Sequence, residues 1–438
     1  MPIVPLGIGS FKRADGLVPD VVLRNMYLEK DMSGISPDQT LRIQRPGLTR
    51  IASYTGLMRG VHYRTATGER LVVAGNTLYS TEQPQGTIAG SGIAALVSTP
   101  FASIIAGGGI AYLYDTSIIT LELPDDAPSG GFVQDVDQLN AYGIVLLPNG
   151  RFYWLVPGET TIDPLNFATA ESLPDKAVAV RRLGDEFWIF GTQNVEVWQP
   201  TGDLDAPFQR ASGRNFERGC LARDTVRRFD NTLVWVGDDY QVYRASSVPQ
   251  VISDPGIAER IRKATSPCSA WVYSMDGHSF YVLRVPGQGV LAYDASTQVW
   301  SEFTWPVLVG YQEAGETIVG SAVDSRLWRV DADAMTDDGA VIERTVTATV
   351  PMLGKPPRND SVSIGTGSSV DCTIRLRWKD GQDDYPAFYE ELLVRAPFDV
   401  GTLWRLGSPD QPYRSYEISC VEPVRIRIAG MMANEGWR

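Results

Sequence analysis

Between Glu186 and Asp203 the chain reads EFWIFGTQNVEVWQPTGD: an apolar run from Phe187 to Phe190, a turn from Gly191 to Asn194, and a returning run from Val195 to Trp198. A half-exposed strand alternates apolar and polar positions, so a run apolar at every position belongs to a strand covered on both faces. The pattern predicts a buried β-hairpin, and it recurs. Related hairpins begin at Leu71 (LVVAGNTLYS), Ser103 (SIIAGGGIAYLYD), Ile144 (IVLLPNGRFYWLV), Thr232 (TLVWVGDDYQVYRAS), Phe280 (FYVLRVPGQGVLAYD) and Thr317 (TIVGSAVDSRLWRVD), making seven visible units. With turns marked at Gly75, Gly107, Asn149, Gly191, Gly237, Gly287 and Asp324, the spacings are 32, 42, 42, 46, 50 and 37 residues. Four-stranded sheets repeated about every 40–50 residues around an axis cover one another on both faces and leave only short edges. The expected fold is therefore all-β, a β-propeller of six or seven blades, with a large sandwich of irregular hairpins as the alternative.

The flanks depart from the repeat. Residues 1–55 contain LVPDVVLRNMYLEKD and LRIQRPGLTRIAS without a hairpin, and are expected to be an N-terminal arm or a ring-closing first strand. The propeller is placed at 56–340. From 341 to 438 longer runs such as RTVTATV, CTIRLRWKD and PVRIRIAG predict an additional C-terminal all-β domain. The only strong helix pattern is DPGIAERIRKA, where Asp254 suits the N-cap, Pro255 the first turn, and Ile257 and Ile261 share one face.

Composition supports this reading. Hydrophobic residues make up 43% of the 438-residue chain, enough for a substantial core, while 11 Trp, 18 Tyr, 42 Gly and 28 Pro favour short strands and turns. The stretch from Gln83 to Tyr114 has no charged residue and is long enough to span a bilayer. Pro100 and the run Gly107 to Gly109 break it, so two or three buried strands are expected and no membrane insertion. The start MPIVPLGIGSFKRADG lacks the pattern of a signal peptide. A formal net charge of -13 provides no field to attract nucleic acid or anionic lipid. Cys220, Cys268, Cys372 and Cys420 have no close neighbour in sequence, which suits reduced, buried thiols.

Candidate chemistry is sparse. His62 and His278 are the only imidazoles, and neither lies in a nucleophile motif or a metal-ligand spacing; GxSxG, Walker, HExxH and CxxC patterns are absent. Asp331, Asp333, Asp337, Asp338 and Gly339 resemble a calcium loop only in composition, because Met335 takes the fifth position and Ile342 the twelfth. A solvated linker is the favoured reading there. Glycoside hydrolysis would need paired carboxylates, for which Asp185, Glu186, Asp238 and Asp239 are candidates, yet acids at turns also serve to bond nearby amides. No catalytic, cofactor-binding or metal-binding residue is assigned, and no cofactor is expected. Arg210, Arg214, Arg218, Arg223, Arg227 and Arg228 form a basic stretch interleaved with Glu217, Asp224 and Asp230. The interleaved acids favour a subunit contact or a solvated loop over phosphate binding.

The succession FGTQNVEVWQPTGD, ERGCLARDTV, LVWVGDDYQVYRASS and VISDPGIAERIRKA resembles the packaged-DNA stabilisation, or tail hub and nozzle, proteins of short-tailed bacteriophages. The motif from Asn25 to Tyr27, RPGL from Arg45 to Leu48, and LAYDASTQVWSEF from Leu291 extend the resemblance over most of residues 20–305, and TLWRLG and EPVRIRIAG resemble the closing segment. The resemblance implies a propeller with further β domains, assembled as a homohexameric ring below the portal and head-to-tail adaptor. Such a ring continues the DNA channel, lets genomic DNA pass without sequence-specific binding, and carries tail fibres, spikes or a plug. It implies a structural component of the virion tail, assembled in the cytoplasm of the bacterial host. The alternative is a receptor-binding or glycan-degrading tail propeller.

Overall fold

A computed structural model describes residues 3–12, 19–170, 175–313, 315–351, 361–407 and 411–433. In five antiparallel four-stranded sheets, built from residues 58–87, 95–120, 135–169, 177–216 and 227–251, strands follow chain order, and the predicted hairpins form the two middle strands. These are blades 1 to 5. Blade 6 contributes the pair Ser269–Met275 and His278–Val285, and blade 7 the strands from Val307, Glu316 and Arg326. All belong to one compact unit, residues 50–288 and 306–329. Its fold is a β-propeller with seven sheets among the described residues.

The doubly apolar runs have a direct structural cause. Successive strand residues point to opposite faces, so Ile104 packs toward blade 3 while Ile105 packs toward blade 1. Likewise Phe187 joins Phe152, Trp154 and Trp198 between blades 3 and 4, whereas Trp188 joins Trp235 and Tyr243 between blades 4 and 5. Between blades 5 and 6, the Tyr281 hydroxyl donates to the Thr225 carbonyl at 2.8 Å and its ring lies 6.2 Å from that of Phe229. Between blades 6 and 7, Gly310 leaves room for Trp271, since a Cβ there would stand 2.8 Å from the indole. The circle closes where Met58, Val61, Val72 and Ala74 of blade 1 pack on Val309, Ile318 and Leu327 of blade 7. Ile51, Ala52 and Tyr54, which precede blade 1, lie against the same cluster, and the Tyr54 amide donates to the Ser325 carbonyl at 3.0 Å.

The charge-free stretch contains two buried strands, Ser103–Gly107 and Ile110–Tyr114, as expected, and two further strands that are exposed or half-buried, Gln83–Thr87 and Ala95–Ser98. Among the described residues no helix is long and apolar enough to cross a membrane. The single α-helix among them is Pro255–Arg262, with Ile257 N–H donating to the Asp254 carboxylate at 3.0 Å. All four cysteines are free and buried.

The second compact unit comprises residues 1–49, 289–305 and 330–438 and is a two-sheet sandwich. One sheet orders Met26–Lys30, Thr40–Gln44, Ile426–Ala433, Ser361–Ser368 and Phe398–Trp404, with Ile3–Val4 pairing to Ile426–Ala433. The other contains Gly289–Asp294, Val299–Phe303, Leu23–Arg24, Arg344–Pro351, Tyr413–Cys420, Cys372–Asp380 and Glu390–Val394. Val4, Met26, Val346, Ile364, Leu376 and Met431 lie in one core between them. Described residues from before 50, from 289–305 and from after 330 thus share a single all-β unit.

The aromatic interface of blades 3 and 4 yields a prediction. Phe187→Ala is expected to cost about 3–5 kcal/mol in urea unfolding, because Phe187 is fully buried with rings on several sides. Leu204→Ala, at an 81% exposed position, is expected to cost under about 0.5 kcal/mol. Equal losses would contradict the packing described.

Candidate functional site

Every blade sends part of its first strand toward the centre of the propeller, where a cavity of about 390 Å³ is lined by residues of all seven. Most of the lining is apolar, including Val61, Leu96, Val136, Val272 and Val309. The charged lining comes from three blades: Asp137 of blade 3, Arg181 of blade 4, and Asp224, Arg227 and Arg228 around the start of blade 5. Asp137 accepts from the backbone amides of Arg182 at 2.7 Å and Gln138 at 2.8 Å. Arg181 pairs with the fully buried carboxylate of Asp135 and donates to the Val226 carbonyl at 3.3 Å. Arg223 reaches the Ile93 carbonyl at 2.6 Å and the Gln134 carbonyl at 3.2 Å, and its guanidinium stands 2.9 Å from Asp224. This side chain ties blade 5 to the segments entering blades 2 and 3.

The six candidate arginines are therefore not one patch. Arg223 and Arg227 are bonded internally, the latter through Nε to the Ala270 carbonyl at 2.8 Å, and Arg228 is exposed where it lines the cavity. Arg210, Arg214 and Arg218 lie elsewhere, on or just beyond the outer strand Phe208–Phe216 of blade 4. Arg214 pairs with Glu186 and stacks on Trp188, Arg218 lies 5.9 Å from the Tyr243 ring, and Arg210 is exposed.

Sequence reasoning treated His62 as an ordinary structural residue, and it lines the cavity. Its Nε2 lies 2.8 Å from the Ser98 hydroxyl, and its ring packs edge-on to Tyr311 at 4.6 Å. Burial, with a smaller contribution from Arg228, pulls its pKa down to about 4. Arg181 and Asp135 were also missed. The available signal was DVD at 135–137, which places two carboxylates on one face of a short strand.

The carboxylates considered for glycoside hydrolysis serve local structure. Glu186 accepts from Trp188 Nε1 at 2.9 Å, Asp238 from the Gly219 amide at 3.0 Å, and Asp239 from the Tyr243 hydroxyl at 2.6 Å; Asp185 is an exposed turn residue. Among the described residues no group of acids, His and Cys is arranged to hold a metal ion. The acidic run 331–338 is not a solvated linker. Asp331 accepts from the Thr49 hydroxyl at 2.9 Å, Asp333 pairs with Arg425 at 2.6 Å, and Asp337 grips a buried arginine.

That arginine is Arg45 of RPGL, fully buried in the sandwich unit. Its two terminal nitrogens donate to Asp337 at 2.9 and 2.6 Å, its Nε donates to Asn25 at 2.8 Å, and its plane lies over Trp305 at 4.7 Å. Asn25 adopts a φ of 54°, a left-handed conformation that asparagine tolerates better than most residues. Its amide donates to the Glu343 carbonyl at 2.6 Å and to the Thr304 hydroxyl at 3.0 Å. Gly47 is required for contact, since a Cβ would come within 2.3 Å of the Thr336 carbonyl oxygen. The two N-terminal motifs thus form one polar node that joins residues 25, 45, 304, 337 and 343.

A family model described as Bacteriophage P22 Gp10, beta-propeller, matches residues 3–319. The chain belongs to this phage-stabilisation family. A curated relative, the tail hub protein gp10 of Salmonella phage P22, is 24% identical over 284 residues, which is 58% of this chain and 58% of that protein. The chain thus spans under two thirds of the length of that relative. Among solved structures, the computationally designed Ika8 protein aligns with a TM-score of 0.40 at 11% identity over 75% of this chain and 100% of its own. PorZ of the Porphyromonas gingivalis type-IX secretion system aligns with a TM-score of 0.39 at 12% identity over 72% and 44%. These likenesses are distant, and the propeller assignment rests on the family and on the sheets themselves.

Two predictions follow from this geometry. Arg45→Ala leaves the half-buried Asp337 without its cation and empties a fully buried site, and is expected to destabilise by about 3 kcal/mol. Arg45→Lys is expected to recover only part, because a point charge cannot replace the two-pronged contact; full recovery in denaturant unfolding would contradict the role given to the fork. His62 binds its proton more weakly folded than unfolded, so stability is complete above about pH 6.5, falls as pH drops toward about 4, and is level below that. The loss amounts to at most about 3.5 kcal/mol. Comparing wild type with His62→Gln across that window checks the sign, and an identical slope in both proteins would refute it.

Proposed function

We propose that the chain is a structural tail hub protein of a short-tailed phage, with no enzymatic role. Copies form a homohexameric ring that continues the DNA channel below the portal and adaptor, helps retain the packaged genome, lets it pass on ejection, and anchors fibres, spikes or a plug. The observation that carries this reading is the family match over residues 3–319. The fold gives it a mechanical basis: seven sheets covering one another form a stiff block, and rigidity is what a channel wall needs.

In this reading DNA does not run through the propeller. The cavity of about 390 Å³ at its centre is the size of a small-molecule pocket, about 300–1,000 Å³. The channel is therefore formed between copies. A net charge of -13 suits a lining over which phosphates slide without being held. The tail of the virion is the final location, after assembly in the host cytoplasm.

The exposed guanidinium groups best placed for a subunit contact are Arg210 and Arg218, beside the outer edge of blade 4. Arg210→Glu combined with Arg218→Glu is expected to shift purified protein from a closed ring toward single chains in native mass measurement, with unfolding unchanged. A ring of unchanged mass would remove these arginines from the interface. A wild-type protein that stays monomeric, alone and with its adaptor, would overturn the hub reading itself.

A further inference from the structure

Around the propeller centre four guanidinium groups, Arg181, Arg223, Arg227 and Arg228, stand against three carboxylates, Asp135, Asp137 and Asp224, an excess of one positive charge. Asp135 is taken by Arg181 and Asp224 by Arg223, while both Asp137 oxygens accept backbone amides. Arg227 and Arg228 are left without a carboxylate partner among the described residues. Arg227 spends Nε on the Ala270 carbonyl and Nη1 on the Val226 carbonyl, both at 2.8 Å, and no bond of Nη2 is found there. Arg228 makes no hydrogen bond or ion pair among the described residues. Both line the cavity of about 390 Å³, beside Gln312 and the Arg181 guanidinium.

Leaving guanidinium groups together at an apolar-walled site is costly, and the groups around them register the excess. Burial, reinforced by Arg181, brings Arg227 down to about 10, and Arg228 adds to the burial that depresses His62. An oxyanion here would accept from donors already in place and neutralise charge that the fold leaves open. Guanidinium groups bind carboxylate and phosphate in the same two-pronged way, which fixes the chemistry of the ligand more tightly than its identity.

We propose that the axial cavity of the propeller is a binding site for a small oxyanion-bearing ligand, a carboxylate or phosphate compound, held by Arg227 and Arg228. This is a site within one chain and does not depend on the hub assignment.

The test is thermal unfolding and calorimetric titration of the full chain with citrate and with inorganic phosphate, against chloride at matched ionic strength. A saturable rise in melting temperature with at least one of the two anions is expected. Response to citrate alone identifies a carboxylate ligand, and response to phosphate alone a phosphate ligand. Arg228→Ala is expected to weaken binding at least roughly tenfold, since one charge-assisted contact is lost, and Arg228→Lys to retain part of it. Arg395→Ala, which removes the same charge from an exposed position in the sandwich unit, is expected to bind as wild type does. Absence of saturation with both anions, or equal affinity in wild type and Arg228→Ala, would overturn the proposal. Because Arg228 makes no internal bond and stands beside other guanidinium groups, its removal is expected not to lower the melting temperature without anion. A lowered value would be resolved by the Arg228→Lys titration.

Discussion

A sheet that is apolar on both faces is unstable alone, and each propeller sheet here has that character. Blade 4 shows the constraint most clearly: Phe187 and Trp188, adjacent in the chain, are both fully buried against different neighbours. An open stack of such sheets would always expose two apolar faces, one at each end. Packing Met58 and Val72 on Ile318 and Leu327 removes both at once. With about 1.5–3 kcal/mol for each large apolar side chain withdrawn from water, closure is the step that makes the other interfaces mutually supporting.

Closing the circle brings seven inner strands together, and the centre must accept whatever those strands carry. The polar side chains there are used partly as spokes: Arg223 bonds carbonyls at Ile93 and Gln134, and Arg181 pairs with Asp135 of a neighbouring blade. The sandwich unit solves a similar problem differently. Its buried guanidinium, Arg45, is satisfied by one carboxylate, one amide and an indole face. In both units arginine is chosen where a planar fork can meet several acceptors that the chain brings from distant positions.

Much of the propeller was legible because its signal is local. The hairpins at Leu71, Ser103, Ile144, Glu186 and Thr232 each carry strand, turn and strand within about a dozen residues, and each became the middle of a sheet. The helix was equally legible, since Asp254, Pro255 and Ile257 suffice to specify its start. What the pattern could not convey was long-range assembly. Nothing local in RPGL says that Arg45 will meet Asp337, almost three hundred residues later, so the acidic run resembled a solvated linker. Nor does DVD at 135–137 reveal that Arg181 will arrive beside it from the next blade. The arginine-rich stretch resembled one patch because its members are close in sequence, whereas the β-strand and loop geometry sends Arg210 to an outer edge and Arg227 to the centre.

The mechanical account rests on the closure of blade 7 onto blade 1. A Cβ placed on Gly320 would lie 3.1 Å from the Cβ of Met58 and 3.0 Å from Cγ2 of Val309, so the two strands need give way only by a few tenths of an ångström to reach the separation of about 3.5–4.5 Å found in disulfides. The direct measurement is peptide mapping of a protein carrying Met58→Cys and Gly320→Cys after mild oxidation in the folded state. A cross-linked peptide pair joining these two positions, formed without loss of the fold, is the result a closed ring predicts. A folded protein in which both new thiols stay free, or pair only with other cysteines, would contradict it.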